Sequence, residues 1–243
     1  MTPCAAEAPR GVHAPARLTV YYADSHDIGA ADIDALVTPE DRVRLAAFTH
    51  PRRRSEYLAG RALLRYALER STGRAAGSHR VTTRDGGKPE CVSGPAISQS
   101  HSGRMLMCAV APHGEIGIDV QLPRLRQRNM EIARRYFCAA EYERLRGASA
   151  DAFYMLWVLK EAYLKALGCG LAGGLDYIEC RIEPPLIEAR AEIPAHLALY
   201  SAGDAFVGVA AVGCGRPEIQ MQRWLARSAD TAPPPVPLAA TAA

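Results

Sequence analysis

The run Phe153-Tyr-Met-Leu-Trp157-Val-Leu-Lys160-Glu161-Ala-Tyr-Leu-Lys165-Ala-Leu-Gly168 constrains this chain more than any other stretch. Phe153, Leu156, Trp157, Leu164 and Leu167 recur at helical steps and share one face, so the run predicts an amphipathic helix. Gly168 and Gly170 supply its stop, since glycine takes the left-handed conformation that closes helices. The charges do not follow the amphipathic rule. At ~100° per residue, Lys160 falls inside the apolar stripe, Glu161 beside Trp157 at its edge, and Lys165 one turn beyond Glu161. A solvated face would hold all three on the far side. The plain alternative is an ordinary i,i+4 pair of Glu161 and Lys165, worth about 0.2–0.5 kcal/mol, with Lys160 snorkelling past the core.

A chain of 243 residues is long enough for one large domain or two of about 110 residues. It has no apolar run of the roughly 18 residues that predicts a membrane span. Met1 to Pro15 carries prolines and Glu7 without an apolar block, and reads as disordered rather than as a secretory signal. The cysteines number seven and form no C-x-x-C pair. That argues against a disulfide framework and a zinc site, and for buried thiols in a reducing cytoplasm. Residues 40–74 hold nine arginines against Glu40, Asp41, Glu56 and Glu69. A second basic patch runs through Arg124, Arg126, Arg128, Arg134 and Arg135. Such fields attract phosphates or acidic partners, although solvated arginine faces give the same composition.

Leu18–Tyr22 alternates as a strand. Thr38-Pro39 starts a helix expected to reach about Phe48. A longer helix is expected from Arg52 to about Glu69, with Arg61 and Arg65 on one face. Strands are predicted over His79–Arg84, Met105–Ala111 and Glu115–Gln121, with a turn at Asp85-Gly86-Gly87-Lys88-Pro89. In Glu115–Gln121, Ile116, Ile118 and Val120 take one face and Gly117, Asp119 and Gln121 the other. Helices over Asn129–Phe137 and Ala140–Arg146 precede the central one. Strands follow at Asp176–Ile182, His196–Tyr200, Ala205–Val212 and Glu218–Trp224. This pattern predicts an α+β fold with mostly antiparallel sheets packed on helices. The expected divisions are a disordered segment at 1–15, an N-terminal subdomain at 16–114, a C-terminal subdomain with the metal site at 115–225, and a flexible Ala/Pro tail at 226–243.

Asp119 and Glu161 are carboxylates placed where packing does not want them. Without histidine or cysteine partners they are hard oxygen donors that suit Mg²⁺. Gly87-Lys88-Pro89, Ser100-His101 and Lys165 add cations and donors, a set that suits a pyrophosphate bridged by a metal.

Gly117-Ile118-Asp119-Val120-Gln121 resembles the G-[IV]-D-x-E strand of 4′-phosphopantetheinyl transferases. Trp157 through Lys165 is similar to that family's W-x-x-K-E-[AS]-x-x-K helix, and the separation of about forty residues also fits. Gly87-Lys88-Pro89 and Ser100-His101-Ser102 resemble its G-K-P and S-H-S motifs, and Tyr136-Phe137 with Glu141 its F-F-x-x-x-E segment. Arg61-x-x-x-Arg65 sits where the family carries a basic helix. The likeness spans roughly residues 17 to 225 and points to the Sfp-type branch, group II. That branch implies a monomer of two similar subdomains in a pseudo-twofold arrangement. One position departs: the second metal carboxylate of the family is Gln121, which offers a neutral oxygen or holds a bound water.

The resemblance implies transfer of the 4′-phosphopantetheine arm of coenzyme A to a serine of an acidic acyl or peptidyl carrier protein, in the cytoplasm. Asp119, Glu161 and Gln121 would hold Mg²⁺, or Mn²⁺ in its place. Lys165 would contact the pyrophosphate and protonate the leaving group, and Glu161 or a metal-bound water would take the serine proton, with Glu141 a further candidate for metal or base. Ser100 and His101 would bind the 3′-phosphate. Lys88 and Arg44 would bind other phosphates or the nucleotide, and Arg61 lies in the same basic region. Two rival readings remain at this point. A nucleic-acid-binding module explains the arginines but lacks aromatic interleaving or a recognised motif. A metal-dependent phosphohydrolase shares the carboxylates and cations. The transferase reading needs neither nucleic acid nor membrane.

Overall fold

The computed structural model describes residues 13–84, 87–124, 128–170, 174–213, 215–224 and 235–242. Expectations for residues 1–12, for Asp85-Gly86, for Arg126 and for residues 225–234 lie outside the described residues. The first half runs β1 (Arg17–Asp24), α1 (Ala30–Leu36), α2 (Pro39–Leu45), α3 (Pro51–Thr72), β2 (Val81–Thr83), β3 (Pro89–Cys91), β4 (Ala96–Ser102) and β5 (Met105–Ala111). The second runs β6 (Ile116–Gln121), α4 (Asn129–Tyr136), α5 (Ala139–Leu145), α6 (Ala150–Leu167), β7 (Ile178–Glu183), β8 (Leu186–Ala191), β9 (Ala195–Ala202) and β10 (Ala205–Val212). Two further strands follow, β11 (Glu218–Arg223) and β12 (Val236–Thr241).

Local chemistry sets the helix ends. Thr38 caps α2 in a reciprocal capping box with Asp41, and Pro39 takes the first turn, where its missing N–H costs nothing. The helix stops at Leu45, short of Phe48. Gly73 closes α3 at φ 70° and Gly168 closes α6 at φ 76°, both left-handed.

The fold is α+β with two sheet-bearing halves. One sheet has the order β11-β1-β5-β4 and the other β6-β10-β9-β12-β8-β7. The pairings are antiparallel except β1 with β11 and β8 with β12. Helix α3 buries Leu63, Leu64 and Leu68 against Tyr21, Cys108 and Val110 of the smaller sheet. The other face of that sheet, with Leu18, Val20 and Met107, packs on Ile116, Ile118, Val120, Val207 and Val209 of the larger one. Helix α6 covers the far face of the larger sheet with Val158, Leu159 and Ala162. The layers are therefore helix, sheet, sheet, helix, and strand alternation decides which residues of β6 face which layer.

Three outcomes differ from the sequence-based expectations. Strand β11 pairs with β1, so a stretch assigned to the C-terminal subdomain completes the first half's sheet. Val236–Thr241, expected within a flexible tail, is a strand between β9 and β8. Both depend on partners far away in the chain, which local composition does not reveal. Cys169 is disulfide-bonded, where no disulfide framework and mostly buried thiols are expected, whereas Cys91, Cys108, Cys138 and Cys180 are free. Pairing follows proximity in space, which spacing in the sequence does not give. Among the described residues no helix is long and apolar enough to cross a membrane.

The contact of α6 with its sheet is unusually close at two glycines. A Cβ on Gly117 would collide with the Ala162 carbonyl and lie 2.6 Å from the Ala166 nitrogen. One on Gly208 would collide with the Val158 carbonyl and lie 2.8 Å from the Leu159 nitrogen. The helix backbone thus rests on the sheet backbone. Gly117→Ala should destabilise the fold by about 3 kcal/mol, because the obstacle is main chain that cannot rotate away. Gly60→Ala in α3, where an added Cβ meets nothing within 4 Å, should be neutral or stabilising by up to about 1 kcal/mol. Urea denaturation of the two variants checks the contrast.

Candidate functional site

The close contact brings residues of α6 onto the polar face of β6. Asp119 is 3% exposed and Glu161 9%. Lys165 donates to Asp119 Oδ1 at 2.7 Å, to Ser100 Oγ at 3.0 Å and to the Ile118 carbonyl at 3.1 Å. Ser100 in turn donates to Asp119 Oδ1 at 2.7 Å. Gln121 Nε2 donates to Asp119 Oδ2 at 3.3 Å. Asp119, Lys165, Ser100 and Gln121 therefore form one hydrogen-bonded group drawn from β4, β6 and α6.

Glu161 is different. Burial pushes its carboxyl up to about 7, the Asp119 charge adds to the rise, and Lys165 opposes it. No hydrogen bond from the described residues supports its charged form. Two buried carboxyl groups served by one ammonium, which rests on Asp119, form a site short of positive charge. Hard oxygens from Asp119 and Glu161 suit a small divalent cation, with the amide oxygen of Gln121 as a neutral third donor. Gln121 would have to turn its amide over, because its NH₂ end now faces Asp119. Among the described residues no group of three or more His, Cys, Asp or Glu side chains stands ready for a metal. The donors present fit Mg²⁺ only as two carboxylates completed by neutral oxygens.

A cavity of about 560 Å³ opens beside this group, lined by Arg44, Arg53, Arg61, Ser100 and His101 with Phe48 and Tyr57 among its walls. Asp41 holds one of these, Arg61, together with the neighbouring Arg65. It is 2% exposed, and its two oxygens accept from Arg61 Nε at 2.7 Å and Arg65 Nε at 2.8 Å. That pairing keeps the Asp41 carboxyl below the usual carboxylate range despite its burial. Arg44 donates to Thr83 Oγ1. A second cavity of about 360 Å³ shares Glu56 and His101 with the first and reaches Gln121, Arg124, Phe153 and Trp157.

Two expected site residues are placed elsewhere. Glu141, a candidate base or metal ligand, is 0% exposed. It accepts from the backbone N–H of Cys138 at 3.0 Å and of Cys180 at 2.7 Å. Its remaining charge meets Lys160, also 0% exposed, at 2.8 Å. Lys160 donates further to the Leu175 and Ile178 carbonyls. The lysine in the apolar stripe is thus neither snorkelling nor reacting: it is half of a satisfied buried pair tying α6 to α5 and β7. Lys88, expected on a phosphate or the nucleotide, donates to Glu115 at 2.5 Å and to the Ala166 carbonyl at 2.6 Å. Its ammonium is consumed by the last turn of α6, and Lys88 is absent from the lining of the arginine cavity. Asp41, Arg53 and Tyr57 were not singled out as site residues. The helix-cap position of Asp41 hid its role, since Thr38-Pro39-Glu40-Asp41 already explains an acid there.

Models of known families match both halves. That of the 4′-phosphopantetheinyl transferase superfamily covers residues 115–200. That of the 4′-phosphopantetheinyl transferase N-terminal domain covers residues 41–111. The 4′-phosphopantetheinyl transferase HetI of Nostoc sp. is 33% identical over 63% of this chain and 68% of its own. The 4′-phosphopantetheinyl transferase Sfp of Bacillus subtilis is 32% identical over 61% of this chain and 67% of its own. A Synechocystis sp. protein named for the same activity is 31% identical, and the chain spans 62% of its length.

Two measurements check the assignments. Glu141→Gln should cost about 3–5 kcal/mol in urea denaturation by stranding Lys160, and leave Mg²⁺ affinity unchanged. Retained stability with lost Mg²⁺ binding would return Glu141 to the metal site. Because Glu161 holds its proton below about 7, a cation must displace it there. Mg²⁺ affinity should fall about tenfold for each pH unit below that value and level off above it. Calorimetric titration across pH would show a flat profile if Glu161 were not a ligand.

Proposed function

The chain belongs to the 4′-phosphopantetheinyl transferase superfamily, Sfp-type, and from that premise we propose that it moves the phosphopantetheine arm of coenzyme A onto a serine of an apo acyl or peptidyl carrier protein. The observation that supports the reading is the meeting of Asp119, Glu161 and Lys165 beside Ser100, which lines the arginine-bearing cavity. The reaction breaks a pyrophosphate bond and releases 3′,5′-ADP, so offsetting negative charge and aligning the serine oxygen are the main tasks.

Arg44, Arg61 and His101 on the cavity wall supply positive charge and donors for the nucleotide phosphates, and Asp41 keeps Arg61 extended along the wall. Ser100 sits between this wall and Asp119 and orients the carboxylate with its hydroxyl. Asp119 and Glu161, with Gln121, would hold Mg²⁺, which supplies Lewis-acid stabilisation of the pyrophosphate oxygens. Lys165 leaves Asp119 for the pyrophosphate once that carboxylate is otherwise neutralised, and donates a hydrogen bond to the departing oxygen. Glu161 accepts the proton of the incoming serine hydroxyl through a carboxylate oxygen. The basic residues Arg52, Arg53 and Arg124 around the cavities suit an acidic carrier and would speed its approach at low salt.

Intact-mass measurement of apo-carriers incubated with the protein, coenzyme A and Mg²⁺ tests the reading. The expected result is a mass increase equal to the arm, abolished by chelation. Asp119→Ala and Glu161→Gln should each lower the rate by at least about 10²-fold. Wild-type turnover in either variant, or release of inorganic phosphate from coenzyme A without a carrier, would contradict it.

A further inference from the structure

The two sheets meet along their open edges. Strand β4 ends the smaller sheet and β6 the larger, and they lie side by side. An edge strand presents outward N–H groups at every second residue. On β6 these belong to Ile118, Val120 and, just past its end, Leu122. Each finds a hydroxyl on β4. Ile118 N–H donates to Ser98 Oγ at 3.1 Å, Val120 N–H to Ser100 Oγ at 3.2 Å, and Leu122 N–H to Ser102 Oγ at 3.0 Å. Three hydroxyls at two-residue steps meet three amides at two-residue steps, so the strands run parallel in a single register.

A side-chain comb of this kind spaces two strands more widely than a backbone ladder. Lys165 enters the gap and donates to the outward carbonyl of Ile118 at 3.1 Å. The cavity arginines stand on the first half's side of the seam, and Asp119 and Glu161 on the second half's side. Ser100 contacts both, but Ser98 lines neither cavity and is 2% exposed. Ser98 therefore acts on the chemistry only through its neighbours, and the one it binds is the Ile118 amide of β6.

We infer that Ser98, with Ser102, is a positioning residue: the hydroxyl comb fixes β6 against β4 and so holds Asp119 at one distance from the nucleotide cavity. The inference rests on the transferase reading. Coenzyme A binding belongs mainly to the first half, whereas the transfer step needs both halves in register. Loss of a comb hydroxyl should separate the two. Ser98→Ala in the full chain is expected to lower kcat for transfer to an apo-carrier by about 10- to 100-fold. KM for coenzyme A should stay within about twofold, and the Ile118 amide should exchange with solvent faster than in the wild type. Ser102→Ala, at the rim, should show the same split in milder form and serves if Ser98→Ala does not fold. An unchanged kcat, a rise in KM matching the fall in kcat, or an Ile118 amide as protected as before would overturn the inference. A wild-type protein that modifies no carrier would instead sink the transferase reading, while amide exchange would still report the comb.

Discussion

The site depends on a helix lying closer to a sheet than side chains normally allow. Gly117 and Gly208 face each other's neighbours across adjacent strands β6 and β10, and neither leaves room for a Cβ under α6. Removing two side chains from the interface forfeits apolar burial. It brings Glu161 and Lys165 to the carboxylate of Asp119, one strand position from Ile118. With any larger residue at position 117 the helix would ride outward, and the two acids would no longer share a site.

Close approach also concentrates charge, and the fold handles two buried carboxylates in opposite ways. Glu141 is fully satisfied by two backbone N–H groups and the Lys160 ammonium. Glu161, one residue along α6 from Lys160, has a like-charged neighbour and no hydrogen bond from the described residues. The contrast separates an acid whose charge is fully met from one whose charge is not. Lys88 and Lys165 divide in the same way. Lys88 closes the end of α6, while Lys165 rests on Asp119 in a partly open seam.

Much of this was legible from residues alone. The ends of α3 and α6 follow from Gly73 and Gly168, and the alternation of Ile116–Gln121 correctly assigned Asp119 to the polar face. Lys160 was visible as an anomaly in the apolar stripe, but its meaning was not, because Glu141 and the Ile178 carbonyl come from elements that only tertiary packing brings near. Motif likeness places an acid at Glu141 but does not show the Cys138 and Cys180 amides and the Lys160 ammonium that surround it. Lys88 likewise has contacts to Glu115 and Ala166 that its motif does not reveal. Ser98 passed unnoticed: its two-residue spacing from Ser100 is plain, but a row of hydroxyls acquires a purpose only when the outward amides of β6 lie beside it. Strand β12 was missed because a charge-poor Ala/Pro segment has no local reason to be extended, and its pairing with β8 and β9 supplies that reason.

The central claim is that Asp119 and Glu161 grip one divalent cation at the seam between the sheets. Mn²⁺ titration followed by electron paramagnetic resonance, with coenzyme A present, tests it most directly. The account predicts a single tightly bound ion per wild-type chain, lost from Asp119→Ala and weakened in Glu161→Gln while both variants remain folded. Full retention of that ion in the two variants would contradict it.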